Sequence, residues 1–142
     1  MSTINLTTSE ANVGKEAGTS IWVRRRISMA TNNVTAADTL KIFKIPKYGR
    51  VNTFQVTTVT AAGTTCTMDF GTLDGVTADT TGLDATVNLN TTATMTRGAF
   101  GTDAKIGYRF AADGYITGTA GHTNSTGVFD VIVEIVIDQD HD

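Results

Sequence analysis

The stretch Thr126 to Asp138, reading TGVFDVIVEIVID, constrains the fold more than any other part of the chain. In an extended backbone successive side chains point to opposite faces, so Phe129, Val131, Val133, Ile135 and Ile137 line one side with large apolar groups. Asp130, Ile132, Glu134, Val136 and Asp138 share the other. A strand with one wholly apolar face and one half-apolar face belongs at the centre of a sheet that packs on a second sheet and turns its outer surface to solvent or a partner. Ile132 and Val136 are therefore contact candidates on that outer surface.

The rest of the chain favours sheet over helix. Roughly a fifth of its residues are Thr, Pro occurs once, and the helix formers Glu, Lys and Gln are few. Its 142 residues suffice for one all-β domain whose core needs neither staple nor cofactor. A net charge of −3 with 18% charged residues offers no clustered cationic face for a polyanion, which argues against nucleic acid as a partner. Cys66 is the only cysteine, so no disulfide forms within the chain, and with only His122 and His141 beside it a Cys-rich zinc site cannot be built. The opening MSTINLTTSEANVGKEAG lacks the basic start and apolar stretch of a secretory signal, and no run approaches the roughly 20 apolar residues of a membrane helix. These features predict a soluble product made in the cytoplasm, with no membrane partner.

Residues 1–18 carry apolar side chains only at Ile4, Leu6 and Val13 after the first Met, too few to fill a core. They read as an extended N-terminal arm whose apolar residues contact a neighbour. Residues 19–138 form the β-sandwich, and 139–142 a short tail. Strands are predicted at Ser20 to Thr31, Asp38 to Ile45, Gly49 to Thr60, Thr64 to Phe70, Ala85 to Leu89, Lys105 to Phe110, Tyr115 to Thr119 and Thr126 to Asp138. Within the first, Trp22, Arg24 and Arg26 share one face while Ile21, Val23, Arg25 and Ile27 share the other. Within the third, Val51, Thr53, Gln55, Thr57 and Val59 oppose Phe54 and Val56. Ala61-Ala62-Gly63 suggests a hairpin to the next strand, and residues 71–83 a long polar loop. Unequal connections at 31–37, 71–83 and 90–103 favour a two-sheet antiparallel jelly roll of about eight strands over an up-and-down barrel, whose hairpins would be uniformly short.

Residues able to carry chemistry are sparse. A metal-dependent jelly-roll enzyme converges two or three histidines and a carboxylate, whereas His122 lies in a polar turn and His141 in the tail. Acyl transfer needs a nucleophile, a base and an orienting acid, but Cys66 sits between Thr65 and Thr67 in a strand and no GxSxG elbow exists. Asp69, Asp74, Asp79 and Asp84 recur every five residues and could supply paired carboxylates or bind Ca²⁺. Aspartates that close turns on their own backbone account for the same spacing. The chain is read as non-enzymatic, without catalytic, cofactor or metal residues. Trp22 flanked by Arg24 and Arg26 suits a protein-contact patch, because Trp and Arg are enriched at interface hot spots. A sheet surface stabilised by cation–π contact is the plainer alternative.

The passage VTAADTLKIFKIPKYGRVNTFQVTTVTAAGTTCTMDFGTLDG resembles the front half of the jelly-roll decoration, or cement, proteins on the capsids of tailed bacteriophages. The elements in question are Ile45-Pro46-Lys47, the Gly49-Arg50 turn, the Thr- and Val-rich strand Val51 to Thr60, the small link Ala61 to Gly63, and Asp69-Phe70-Gly71 before an Asp-rich loop. GYITGTA and TGVFDVIVEIV resemble the family's final hairpin, so the likeness covers residues 34–137. It implies a structural virion protein, commonly a homotrimer, that binds the major capsid protein on the outside of an assembled shell and reinforces its joints. The alternative is a carbohydrate- or receptor-binding jelly roll of a phage particle, which would need exposed aromatic rings such as Trp22, Tyr48 and Tyr115.

Overall fold

A computed structural model describes residues 3–7, 20–62, 66–90, 95–97, 105, 107–122 and 126–137. These residues form nine strands: β1 (Thr3–Asn5), β2 (Ser20–Ser28), β3 (Thr39–Ile45), β4 (Gly49–Thr60), β5 (Thr67–Asp74), β6 (Thr77–Asn88), β7 (Met95–Arg97), β8 (Gly114–Ala120) and β9 (Val128–Ile137). β5 and β6 make a hairpin closed by Gly75-Val76, with Gly75 at a left-handed φ of 60°, as a two-residue turn between strands demands. Outward from that tip β4 pairs with β7, β3 with β8 and β2 with β9, all antiparallel. The chain from β2 onward is one long hairpin, and rolling it up sets β9 beside β4 and β8 beside β5. The result is a jelly roll of two sheets, β2-β9-β4-β7 and β1-β3-β8-β5-β6.

The core lies between the inner faces. β9 occupies the centre of its sheet, and Phe129, Val131, Val133 and Ile135 are buried there as the alternation requires. Phe70 of the facing sheet meets Phe54 at 5.2 Å and Phe129 edge-on at 6.1 Å between ring centroids. Each such side chain contributes about 1.5–3 kcal/mol through removal from water.

Several elements depart from the sequence expectation, each for a local reason. A bulge between Val51 and Thr53 shifts the alternation of β4, so Val51 joins Phe54 and Val56 inside rather than opposing them. β4 and β5 lie in different sheets, so the connection from one to the other is a crossover and not the expected hairpin; the same holds for β8 and β9. Ala62 donates to the Leu89 carbonyl on the way across. Residues 71–83 are mostly strand. β6 exposes Thr77, Ala78, Thr80 and Thr81 and therefore lacks the apolar alternation by which a strand is recognised.

Between Lys105 and Phe110 the described residues contribute only an isolated bridge, Arg50 to Arg109. This segment is stitched on by Lys105 N–H to the Gly82 carbonyl, Gly107 N–H to Val51 and Phe110 N–H to Gly49. β7 falls inside the expected 90–103 crossover. β1 gives the arm a strand of its own: it adds in parallel to the edge of β3, and Ile4 and Leu6 pack half-buried against the core of the same chain.

Candidate interaction surface

The outer face of the β2-β9-β4-β7 sheet gathers most of the residues singled out in the sequence. Pairing of β2, β9 and β4 aligns them in rows: Ser20, Val136 and Arg50; Trp22, Glu134 and Thr53; Arg24, Ile132 and Gln55; Arg26, Asp130 and Thr57. Ile132 and Val136 are half-buried, screened by their polar flanks. Trp22 is 57% exposed. It stands on the edge strand with Arg24 and Arg26 beside it, so an indole face and two guanidiniums are presented together. Ile4 and Leu6 lie away from this face on the other sheet, and Val13 falls outside the described residues.

Asp130 holds the arginines in place. Arg26 donates through Nε to Oδ1 at 2.9 Å and through Nη2 to Oδ2 at 3.1 Å, and Arg24 Nη2 meets Oδ2 at 2.9 Å. The Asp130 side chain is 9% exposed while both arginines stay over half exposed. The Arg26 hydrogen bonds, opposed by burial and assisted by the charges of Arg24 and Arg26, hold the Asp130 carboxyl below the ordinary carboxylate range. The same bonds push Arg26 upward. Glu134 accepts from the hydroxyls of Ser20 and Thr53. Both carboxylates on the face among the described residues are thus satisfied within the sheet. Trp22 and the free edges of the two guanidiniums remain for a partner.

Because the folded pKa of Asp130 lies below its unfolded value, its contribution to stability is full above about pH 4 and disappears as the pH falls through the folded pKa. Asp130→Asn is expected to melt about 3 °C lower at pH 7, roughly 1 kcal/mol after allowance for solvent screening of the exposed arginines. The gap should narrow as the pH falls below about 4 and close once the wild-type group is protonated as well. Thermal melts followed by circular dichroism between pH 2 and 7 check this, and a gap that widens in acid would reverse the assignment.

A second polar cluster lies where the 105–113 segment docks. Asp74 accepts from the Tyr108 hydroxyl at 2.6 Å and from the amides of Ala111 and Ala112 at 3.0 and 2.9 Å. Partial burial opposes its ionisation, but these donors and Lys105 outweigh that and lower its pKa, while the bond to Asp74 raises Tyr108. Asp69 accepts from the Thr86 amide. Two of the four evenly spaced aspartates thus bond backbone amides. Among the described residues no three His, Cys, Asp or Glu groups converge as a metal site would need. Cys66 is buried, and His122 is exposed on its turn. Tyr48 is stacked by Lys47 and Arg109, and Tyr115 by Lys41. Their rings are occupied by cations, which leaves Trp22 as the exposed ring of the three proposed for a sugar platform.

Nothing in the sequence alone could show that Asp130 orients both arginines, because that depends on the β2–β9 register. No family model matches the chain, and no curated protein matches it significantly in sequence. In structure it is similar to a chain in the capsid of Ralstonia phage GP4, with a TM-score of 0.73 at 15% identity over 97% of this chain and 99% of that one. It is also similar to a chain of the acidic stable capsid of Helicobacter pylori bacteriophage KHP30, with a TM-score of 0.63 at 12% identity over 87% and 92%. A chain of the cyanophage Pam1 capsid asymmetric unit gives 0.58 at 14% over 92% and 96%. At these identities the likeness establishes a shared fold, here carried end to end by a chain of nearly the same length.

Proposed function

We propose that this chain is a non-enzymatic structural protein of a phage particle, a decoration or cement protein that binds the outside of an assembled capsid as a trimer. The observation that carries the reading is the likeness in fold, over most of both chains, to chains of about this size in three phage capsids. The exposed Trp22, Arg24 and Arg26 patch supports an add-on role, since it concentrates the hot-spot residue types on one face. The partner in this reading is the major capsid protein, and the location is the virion surface. Engagement of several capsid subunits at once would select the assembled shell over free subunits and stabilise it by mass action.

Burial of the exposed part of one indole is worth on the order of 3 kcal/mol. Trp22→Ala is therefore expected to weaken binding to preformed empty shells by roughly a hundredfold and to leave the melting temperature of the free protein within about 2 °C. Cosedimentation with shells and calorimetry of decorated shells check both halves. A shell whose melting temperature does not rise at saturation would sink the decoration role. Closed particles formed by this chain alone would instead make it a shell-forming subunit.

A further inference from the structure

The first strand is attached with more chain than its position requires. β1 pairs with only Thr39, Leu40 and Lys41 of β3, followed by Leu6 N–H to the Lys41 carbonyl. Among the described residues nothing else pairs with that edge of β3 toward Ile45. Thr7 comes next, level with Phe43 in the same register, and β3 runs about two residues further before its turn leads to Gly49. Gly49 pairs with Ile137, one position from the row that holds Ser20. Two strand residues at about 3.3 Å, a sheet separation of about 10 Å and two strand spacings of about 4.8 Å from β4 across β9 to β2 put Thr7 and Ser20 on the order of 20 Å apart. The 12 residues 8–19 that join them could span on the order of 45 Å. That exceeds the diameter of a domain of this size, about 35–40 Å.

We infer that β1 is an exchangeable strand: in the assembled oligomer it pairs with β3 of a second copy of this chain, in the register it shows here within one chain. The contacts themselves favour this occupant. Ile4 packs inward opposite Leu40 and Leu6 follows it, while Thr3 and Asn5 face out, so the acceptor must offer an open parallel edge and an apolar slot of this shape. A second copy offers both, identically. Because donor and acceptor surfaces are the same in either arrangement, the choice between them depends on effective concentration alone. Neighbours held side by side raise it without any new contact. Exchange then ties each protomer to the next and closes the ring. The inference rests on the proposed symmetric oligomer.

The test is a mixed-variant cross-link. Asn5→Cys and Lys41→Cys are made in separate chains, since these positions face each other across the pairing, and the two are mixed, assembled and oxidised. The expected product is a disulfide between chains that mass spectrometry maps to positions 5 and 41, distinct from buried Cys66. The double variant, diluted to the monomer, should close the same bond within one chain, which shows that the pair can be bridged. Closure within one chain together with no bond in the mixture would overturn the exchange. As an independent reading, Leu6→Asp should lower the mass by light scattering about threefold, from trimer to monomer, with the circular dichroism unchanged; an oligomer that persists would overturn it as well. Binding of each variant to preformed shells is scored in the same samples. Shell binding without exchange leaves the proposed function standing, and loss of shell binding by the wild-type chain refutes that function by itself.

Discussion

Val133→Asp is expected to leave the chain unfolded at 25 °C. Val133 is 0% exposed on the central strand, with Val23 opposite it on β2 and Phe54 on β4. The substitution removes a buried side chain worth about 1.5–3 kcal/mol and puts a carboxylate where no donor faces it, adding several kcal/mol or forcing the group to stay protonated. A domain of this class holds only about 5–15 kcal/mol in total. Glu134, the next residue, points the other way and is held by the Ser20 and Thr53 hydroxyls. Glu134→Ala should cost no more than about 1 kcal/mol. Far-ultraviolet circular dichroism of both variants settles the contrast, and the reverse ranking would mean that the faces of β9 are inverted.

That contrast was legible in the sequence because the burial of β9 alternates from Val131 to Ile137 and its pairing with β2 has no bulge. The sandwich class, the inward face of β9 and the outward Trp22, Arg24 and Arg26 all follow from such alternation. Legibility fails where the physical signal does. β6 buries few side chains, so its Thr- and Asp-rich run has the composition of a loop although it pairs with β5 at both of its ends. The bulge in β4 moves Val51 to the inner face, a shift that no period-two count anticipates. A three-residue strand such as β1 is decided by the edge it finds and not by its own pattern. At the candidate surface the residue types could be read from the chain. The double engagement of Asp130 by Arg26 and Arg24 required the register that brings residues over 100 positions apart in sequence to the same row and the one beside it.

Gly71→Ala is expected to be the most damaging single methyl that could be added to the five-stranded sheet. Gly71 is not needed for a left-handed backbone, since Gly75 and Gly107 are the glycines with positive φ among the described residues. It is needed because β6 crosses over it. A Cβ at Gly71 would lie 1.9 Å from the Asp79 carbonyl oxygen, 2.5 Å from the Thr80 carbonyl carbon and 2.8 Å from the Thr80 Cα. All three are backbone atoms, so relief requires moving the strand and breaking the Thr72–Asp79 pairing. The loss should spread, because the Gly82 carbonyl just beyond accepts from Lys105 and helps to anchor the 105–113 segment. A cost of about 3 kcal/mol or more follows, at the upper end for overpacking. Gly118→Ala gives the comparison: its Cβ would meet the Met68 sulfur at 2.8 Å, the flexible part of a side chain that can swing aside. That change should cost about half as much. Urea denaturation of the two variants measures the difference, with amide exchange expected to rise first in β6 of Gly71→Ala. Equal midpoints would show that β6 yields freely at Asp79 and Thr80, and that the crossing over Gly71 does not hold this edge of the sheet.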